Sequence, residues 1–337
     1  MPNAIEIGTV RIWPPVVQAP MSALTTLPMR TLAEEMGCGL TVTEFLPAPA
    51  LAGGVKAMIS RLTPSKDNRP FGVQIFGRDP KQMAKAAGMA ADRGAAIVDI
   101  NMGCPARKVT KGVCGSALMR EPELAETLVI AIKEEIGTRA AVTVKIRAGW
   151  DNKTKNAPAF AARMVEAGAR AVTVHGRTRE QKFEGVVDLD IIRHVKKEVQ
   201  DVPIIANGDI VDIASLERTL ETTDCDGVAI GRAALGNPWI FARFAAWFDG
   251  LPIPAFPTGE QRIAMYLKHL ELYLQTAVEE KAVIEMRKFA GWYLKSMPNI
   301  SSLRQGINQL RDVASIHQLI EDYRVKYLEL ETPAKVA

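Results

Sequence analysis

The chain has 337 residues, 47% apolar and 24% charged, with a net charge of +4 and a pI near 8.8. That is apolar material for one large α/β domain and a smaller companion, and no run of 18 apolar residues crosses a membrane. The four cysteines (Cys38, Cys104, Cys114, Cys225) make no C-x-x-C pair and the four histidines do not cluster with them, so neither a metal site nor a disulfide framework is expected.

Short Val/Ile-rich runs recur in chain order at 15–20, 38–45, 71–77, 95–101, 141–147, 170–176, 202–208 and 226–232. Few polar residues interrupt them, which suits parallel strands covered on both faces. Amphipathic stretches at 80–93, 121–136, 157–166, 188–199 and 213–222 lie between them, and Gly or Pro marks most junctions. Eight such alternations point to an α/β fold, a (β/α)8 TIM barrel. A doubly wound sheet is the alternative, but the first βα turn has no G-x-G-x-x-G.

Beyond the eighth run the pattern changes. Residues 1–245 read as the barrel, 246–257 as a linker rich in Pro and aromatics, and 258–337 as an all-helical domain. Its expected helices are 258–280, 282–297 and 301–328, with a capping box at Thr258 and Gln261. The N-terminus lacks the basic-then-apolar layout of a signal peptide, so a cytoplasmic protein with reduced thiols is expected.

In a barrel of this kind the active site lies at the C-terminal strand ends. There the chain offers Pro20, Met21 and Ser22, then Gln74, Asn101 and Cys104, Lys145 and Arg147, His175 and Arg177, Asn207, Gly208 and Asp209, and Gly231 and Arg232. One polar strand end means little; seven of eight make a site. Asn207-Gly208-Asp209 and Gly231-Arg232 follow strands 7 and 8, where barrels hold phosphate. A cation at Lys145 suits the charge that develops at N1–C2=O of a reduced flavin, and Gln74 can both donate to and accept from a pyrimidine edge. The set fits FMN. Cys104 sits at a bend between Gly103 and Pro105, an unusual place for a packing thiol, and Cys114 lies ten residues on in the same loop.

APM near the N-terminus, VQIFG, DINMGCPARKV, VKIRAGW, VTVHGRT, IIANGDI and DGVAIGRAALGNPWIF follow in that order. Together they resemble the tRNA-dihydrouridine synthase family, most closely its B-type bacterial branch. The resemblance covers roughly residues 10 to 245, and the later RKFAGWYLK extends it. It implies an FMN-carrying (β/α)8 barrel that reduces particular uridines of tRNA, D-loop ones here, with NADPH or NADH as reductant. It also implies Cys104 as proton donor. The FMN contacts it implies are Pro20, Met21, Ser22, Gln74, Lys145, Asn207, Gly208, Asp209, Gly231 and Arg232, with His175 close to the ring.

Two basic stretches support a polyanionic partner. Residues 145–182 hold nine Lys/Arg against three acids, and 285–311 hold five against one. Asn101, Arg147 and Arg177 are expected to meet the RNA at the pocket, and Arg287, Lys288 and Lys295 on the helical domain. Two departures from the relatives' pattern, Phe289 where they often carry His and the 183–188 loop without the usual small residue after its glycine, are expected to alter RNA contacts and not the redox centre. The protein is expected to be a monomer. The rival readings are an FMN enzyme acting on a free pyrimidine and a non-catalytic RNA-binding protein.

Overall fold

A computed structural model describes residues 3–65, 69–295 and 297–328. Its strands are β1 (Ile5–Ile7), β2 (Val10–Ile12), β3 (Val16–Gln18), β4 (Leu40–Val42), β5 (Leu46–Pro47), β6 (Phe71–Phe76), β7 (Ile97–Met102), β8 (Ala141–Arg147), β9 (Val172–His175), β10 (Ile204–Asn207) and β11 (Gly227–Ile230). Eight of them pair in parallel in the order β3, β4, β6, β7, β8, β9, β10, β11, and β11 returns to β3. The sheet is closed, as expected of the eight runs. β5 adds a short parallel pairing to β6 through Leu46 and Ile75.

Side chains alternate across each strand. Val98, Ile100 and Met102 of β7 face outward into a cluster with Leu128, Val129 and Ile132 of the helix Pro122–Ile136. Ile97 belongs to the interior cluster, so Asp99 and Asn101 continue the inward series. β8 does the same with Thr143, Lys145 and Arg147. The barrel is therefore apolar at the strand starts and polar at the strand ends.

The hairpin of β1 and β2 is antiparallel. Its Ile5, Ile7 and Ile12 join Ile97, Ala171 and Ile205 and close the N-terminal end of the barrel. The approach is tight: a Cβ on Gly227 would stand 2.4 Å from Ile5 Cδ1 and 2.6 Å from the Pro15 carbonyl.

The chain divides into two compact units. One runs to Ala233 and adds Ile240–Ile253; the other takes Ala234–Trp239 and the chain from Pro254 onward. The expected linker at 246–257 is partly helical, because the helix Trp239–Phe248 extends into it. Trp247 Nε1 donates to Glu217 at 2.8 Å and Phe248 stacks edge-on against Trp13, so these aromatics belong to the barrel.

In the second unit Thr258 and Gln261 form the expected capping box of the helix Gly259–Leu274. The expected single helix over 301–328 is two helices, Ile300–Gln309 and Val313–Tyr327. Leu310 is extended, and the Asp312 carboxylate accepts from Ser315 N at 2.7 Å to start the second. Glu279–Tyr293 likewise starts earlier than expected, with Glu279 and Glu280 in a first turn that favours acids. Phe289 is fully buried against His269, Tyr273 and Trp292. Among the described residues no helix is long and apolar enough to cross a membrane.

Candidate active site

The C-terminal end of the barrel gathers most of the expected residues. Asp99 is 6% exposed. Its carboxylate accepts from Gln74 Nε2 and from Thr143 Oγ1, both at 2.6 Å. Gln74 Oε1 accepts from Asn101 Nδ2 at 2.8 Å. Asn101 Oδ1 accepts from Gly103 N at 3.2 Å and Cys104 N at 2.9 Å. The Cys104 carbonyl accepts from Ser116 N at 3.1 Å and Ser116 Oγ at 3.0 Å. The bend is thus held from both sides of the cysteine. Gly115, at φ +61°, lies under it, where a Cβ would stand 2.8 Å from the Cys104 carbonyl oxygen.

Cys104 is half-buried, and burial raises its thiol pKa above the ordinary value. A backbone hydrogen bond from Ala106 and the charges of Arg147 and Lys108 pull the other way. The thiol therefore holds its proton at neutral pH. Cys114 is buried and turns its Sγ to the Gly112 carbonyl at 3.3 Å.

Lys145 Nζ donates to Asn207 Oδ1 at 2.7 Å, and Asn207 Nδ2 donates to the Ala229 carbonyl at 2.7 Å. Burial, with Arg147 adding to it, lowers the Lys145 pKa to about 7, against the pull of Asp99. His175 is also lowered, by burial first and then by Lys145, Arg147, Arg177 and Arg232, so its imidazole is neutral. Its Nε2 is buried and has no hydrogen-bond partner among the described residues. A Cβ on Gly208, at φ +119°, would stand 2.9 Å from His175 Cδ2. Gly231, by contrast, faces Met21 Sδ only at 3.8 Å, which leaves backbone open beside Arg232.

Two expected RNA contacts are occupied within the protein. Arg147 is 2% exposed; it donates to the Gly103 carbonyl at 2.7 Å, Thr178 at 2.8 Å and Lys182 at 2.7 Å. It ties the cysteine bend to the loop after β9. Arg177 grips Asp209 with both terminal nitrogens, at 2.9 and 2.5 Å, and reaches the Glu184 and Gly185 carbonyls. Asp209 also accepts from Arg232 at 3.3 Å. The Asp209 carboxylate is thereby an internal counter-ion, and its φ of +52° turns the backbone after Gly208. At the rim, Phe183 is 53% exposed, with the guanidinium groups of Arg147 and Arg232 within 5.5 and 5.4 Å of its ring. Pro20 and Met21 are half-buried and Ser22 exposed; Thr25 Oγ1 holds Met21 through both its N–H and its carbonyl.

Sequence reasoning missed Asp99 and Thr143, and named Phe183 only within the 183–188 loop. The signal for Asp99 was an acid on the inward face two residues before Asn101. In the helical unit, Arg287 donates to the Leu310 carbonyl at 2.7 Å and Lys288 to Glu285 at 2.6 Å, while Lys295 is exposed. Among the described residues no cluster of His, Cys, Asp and Glu could hold a metal.

Comparison with known proteins shows the family. The dihydrouridine synthase family model matches residues 17–328. A probable tRNA-dihydrouridine synthase of Rickettsia bellii is 36% identical over 97% of this chain and all of its own length. tRNA-dihydrouridine synthase B of Xanthomonas axonopodis pv. citri is 37% identical over 95% of each chain, and that of Proteus vulgaris 37% identical over 96% and 99%. Among solved structures, 2-naphthoyl-CoA reductase with 2-naphthoyl-CoA superposes with TM-score 0.60 at 12% identity, over 74% of this chain and 52% of that one, a likeness of fold alone. From its first barrel strand through its last described helix, the chain belongs to the dihydrouridine synthase family.

Proposed function

We propose that this dihydrouridine synthase works with FMN and NADPH on D-loop uridines of tRNA, and that Cys104 is its proton donor. Family membership gives the reaction, a two-electron reduction of uridine C5=C6 to 5,6-dihydrouridine in tRNA. The observation that carries the finer reading is the cysteine bend, pinned at both ends of the Cys104 peptide beside a cationic barrel mouth.

The residues present fit a flavin. The orphaned His175 Nε2, the open backbone at Gly231 and the guanidinium of Arg232 suit a phosphorylated ring system. Pro20, Met21 and Ser22 would line its other side. FMN, when bound, supplies hydride from N5 to uracil C6. Lys145 would hold positive charge at the ring's N1–C2=O side, kept in place by Asn207. Gln74, expected at the cofactor's pyrimidine edge, is fully buried and engages its amide with Asp99 and Asn101. Cys104 would give its proton to C5 as the uracil takes up charge, and its raised pKa keeps that proton available. The uridine must leave its stack to reach the bend. Phe183, with guanidinium groups close to it, is placed to meet a flanking base at the rim.

In the helical unit, Lys295 and its basic neighbours would neutralise phosphates without reading sequence. A monomer acting in the cytoplasm completes the reading. The test is anaerobic: flavin-loaded protein reduced with one equivalent of NADPH is mixed with unmodified tRNA or with free uracil. Reoxidation of the flavin by tRNA alone supports the proposal; reoxidation by free uracil alone contradicts it and favours a free-pyrimidine reductase.

A further inference from the structure

We propose that Asp99 is a positioning residue: its buried carboxylate sets the direction of a chain of side-chain amides that ends on the backbone of Cys104. The argument is one of polarity. Asp99 accepts at both oxygens, from Gln74 Nε2 and Thr143 Oγ1; burial raises its pKa, while these two hydrogen bonds and the charge of Lys145 favour the ionised, accept-only form. Asp99 Oδ2 takes Gln74 Nε2 at 2.6 Å, so the Gln74 carbonyl must face the other way, where it accepts from Asn101 Nδ2 at 2.8 Å. That in turn aims Asn101 Oδ1 at the bend, where it accepts from Gly103 N and Cys104 N. Reversing any one amide sets donor against donor in a buried row.

The two ends of an amide are nearly equal in size, so packing does not choose between them. The acceptor at the start of the row does. Gln74 is fully buried, and Asp99 and Asn101 are each 6% exposed, so water cannot substitute for a lost partner. Thr143 Oγ1 occupies the remaining Asp99 oxygen and fixes the carboxylate's own orientation. A residue two side chains away from the thiol therefore decides whether the cysteine bend is capped.

The inference rests on Cys104 being the acid, but its test needs no turnover and so fails or succeeds apart from that assignment. The readout is deuterium exchange at the Gly103 and Cys104 amides, resolved by fragmentation mass spectrometry, on FMN-saturated protein and again on flavin-free protein. Loss of a cap of this kind corresponds to an acceleration of about tenfold. Asp99→Leu should give that acceleration at Gly103 and Cys104, with exchange along 97–100 nearly unchanged. Gln74→Met, which removes the middle link, should give the same. Asp99→Asn should retain most of the protection, because its carbonyl can still accept from Gln74 while its amide donates to Thr143 Oγ1.

Unchanged exchange at the bend in Asp99→Leu and Gln74→Met would overturn the proposal, since Asn101 would then cap unaided. So would acceleration spread evenly over β7, or an Asp99→Asn variant as fast as Asp99→Leu. If Asp99→Leu does not fold, Gln74→Met and Asp99→Asn still decide the matter.

Discussion

Lys145 reaches from β8 past β9 to place its amine 2.7 Å from the side-chain oxygen Oδ1 of Asn207 on β10. An amine is thereby fixed over the barrel mouth by a neutral partner, and its burial lowers its pKa to about 7. The unfolded chain keeps this proton to the ordinary lysine value, near 10.4. Between those limits the unfolded state binds more protons, so this group's contribution to stability rises with pH from about 7 to about 10. In the flavin-free protein, the stability of wild type relative to Lys145→Met should climb over that window, as read by denaturant midpoints at several pH values. A flat difference contradicts the assignment of a buried, charge-penalised amine.

Arg147→Lys should fail although it keeps the charge. One ammonium cannot serve the Gly103, Thr178 and Lys182 carbonyls that the guanidinium fork reaches together. Each buried acceptor left unpaired costs about 1–3 kcal/mol. Thermal melting should drop by several degrees, and dihydrouridine formation should fall with it.

Phe183→Ala should raise KM for tRNA and leave the flavin spectrum and NADPH oxidation unchanged, because the ring sits at the rim, half-exposed, rather than among the barrel's inward residues. Stacking of one base on an aromatic is worth about 1–3 kcal/mol, so the rise should be about five- to hundredfold. Phe183→Tyr should behave as wild type. Steady-state kinetics on tRNA transcript measure both.

The basic residues of the helical unit should separate into two kinds. Lys295→Ala should weaken tRNA binding, leave melting unchanged and lower the salt slope of log K by about one. Arg287→Ala should instead lower the melting temperature, because its guanidinium holds the Leu310 carbonyl between two helices. Filter binding at several salt concentrations, with parallel melts, tells them apart.

The eight strands were legible because each is a Val/Ile-rich run bounded by Gly or Pro, and buried parallel strands leave that trace. The break at Leu310 was not, because the nearest Gly, Gly306, lies inside the first helix, no Pro marks the junction, and only the Asp312 cap restarts the helix. Cys104 announced itself by its Gly and Pro neighbours. The roles of Arg147 and Arg177 did not, since a basic residue at a strand end reads the same whether it meets a phosphate or a backbone carbonyl. Only the loop folded over β9 shows that both guanidinium groups face inward. Asp99 was hidden for a related reason: its partner Gln74 lies 25 residues away, and closure of the sheet brings them together.

The central claim is that Cys104 delivers the proton to C5 of a tRNA uridine. The most direct measurement incubates wild type and Cys104→Ala with NADPH and tRNA from cells lacking all dihydrouridine synthases, then maps dihydrouridine by mass spectrometry. A general acid contributes about 10²–10⁴-fold. Wild type should place dihydrouridine in the D-loop, and the variant should retain its flavin yet form the product slower by about that factor. Equal rates from the two proteins would contradict the assignment of Cys104.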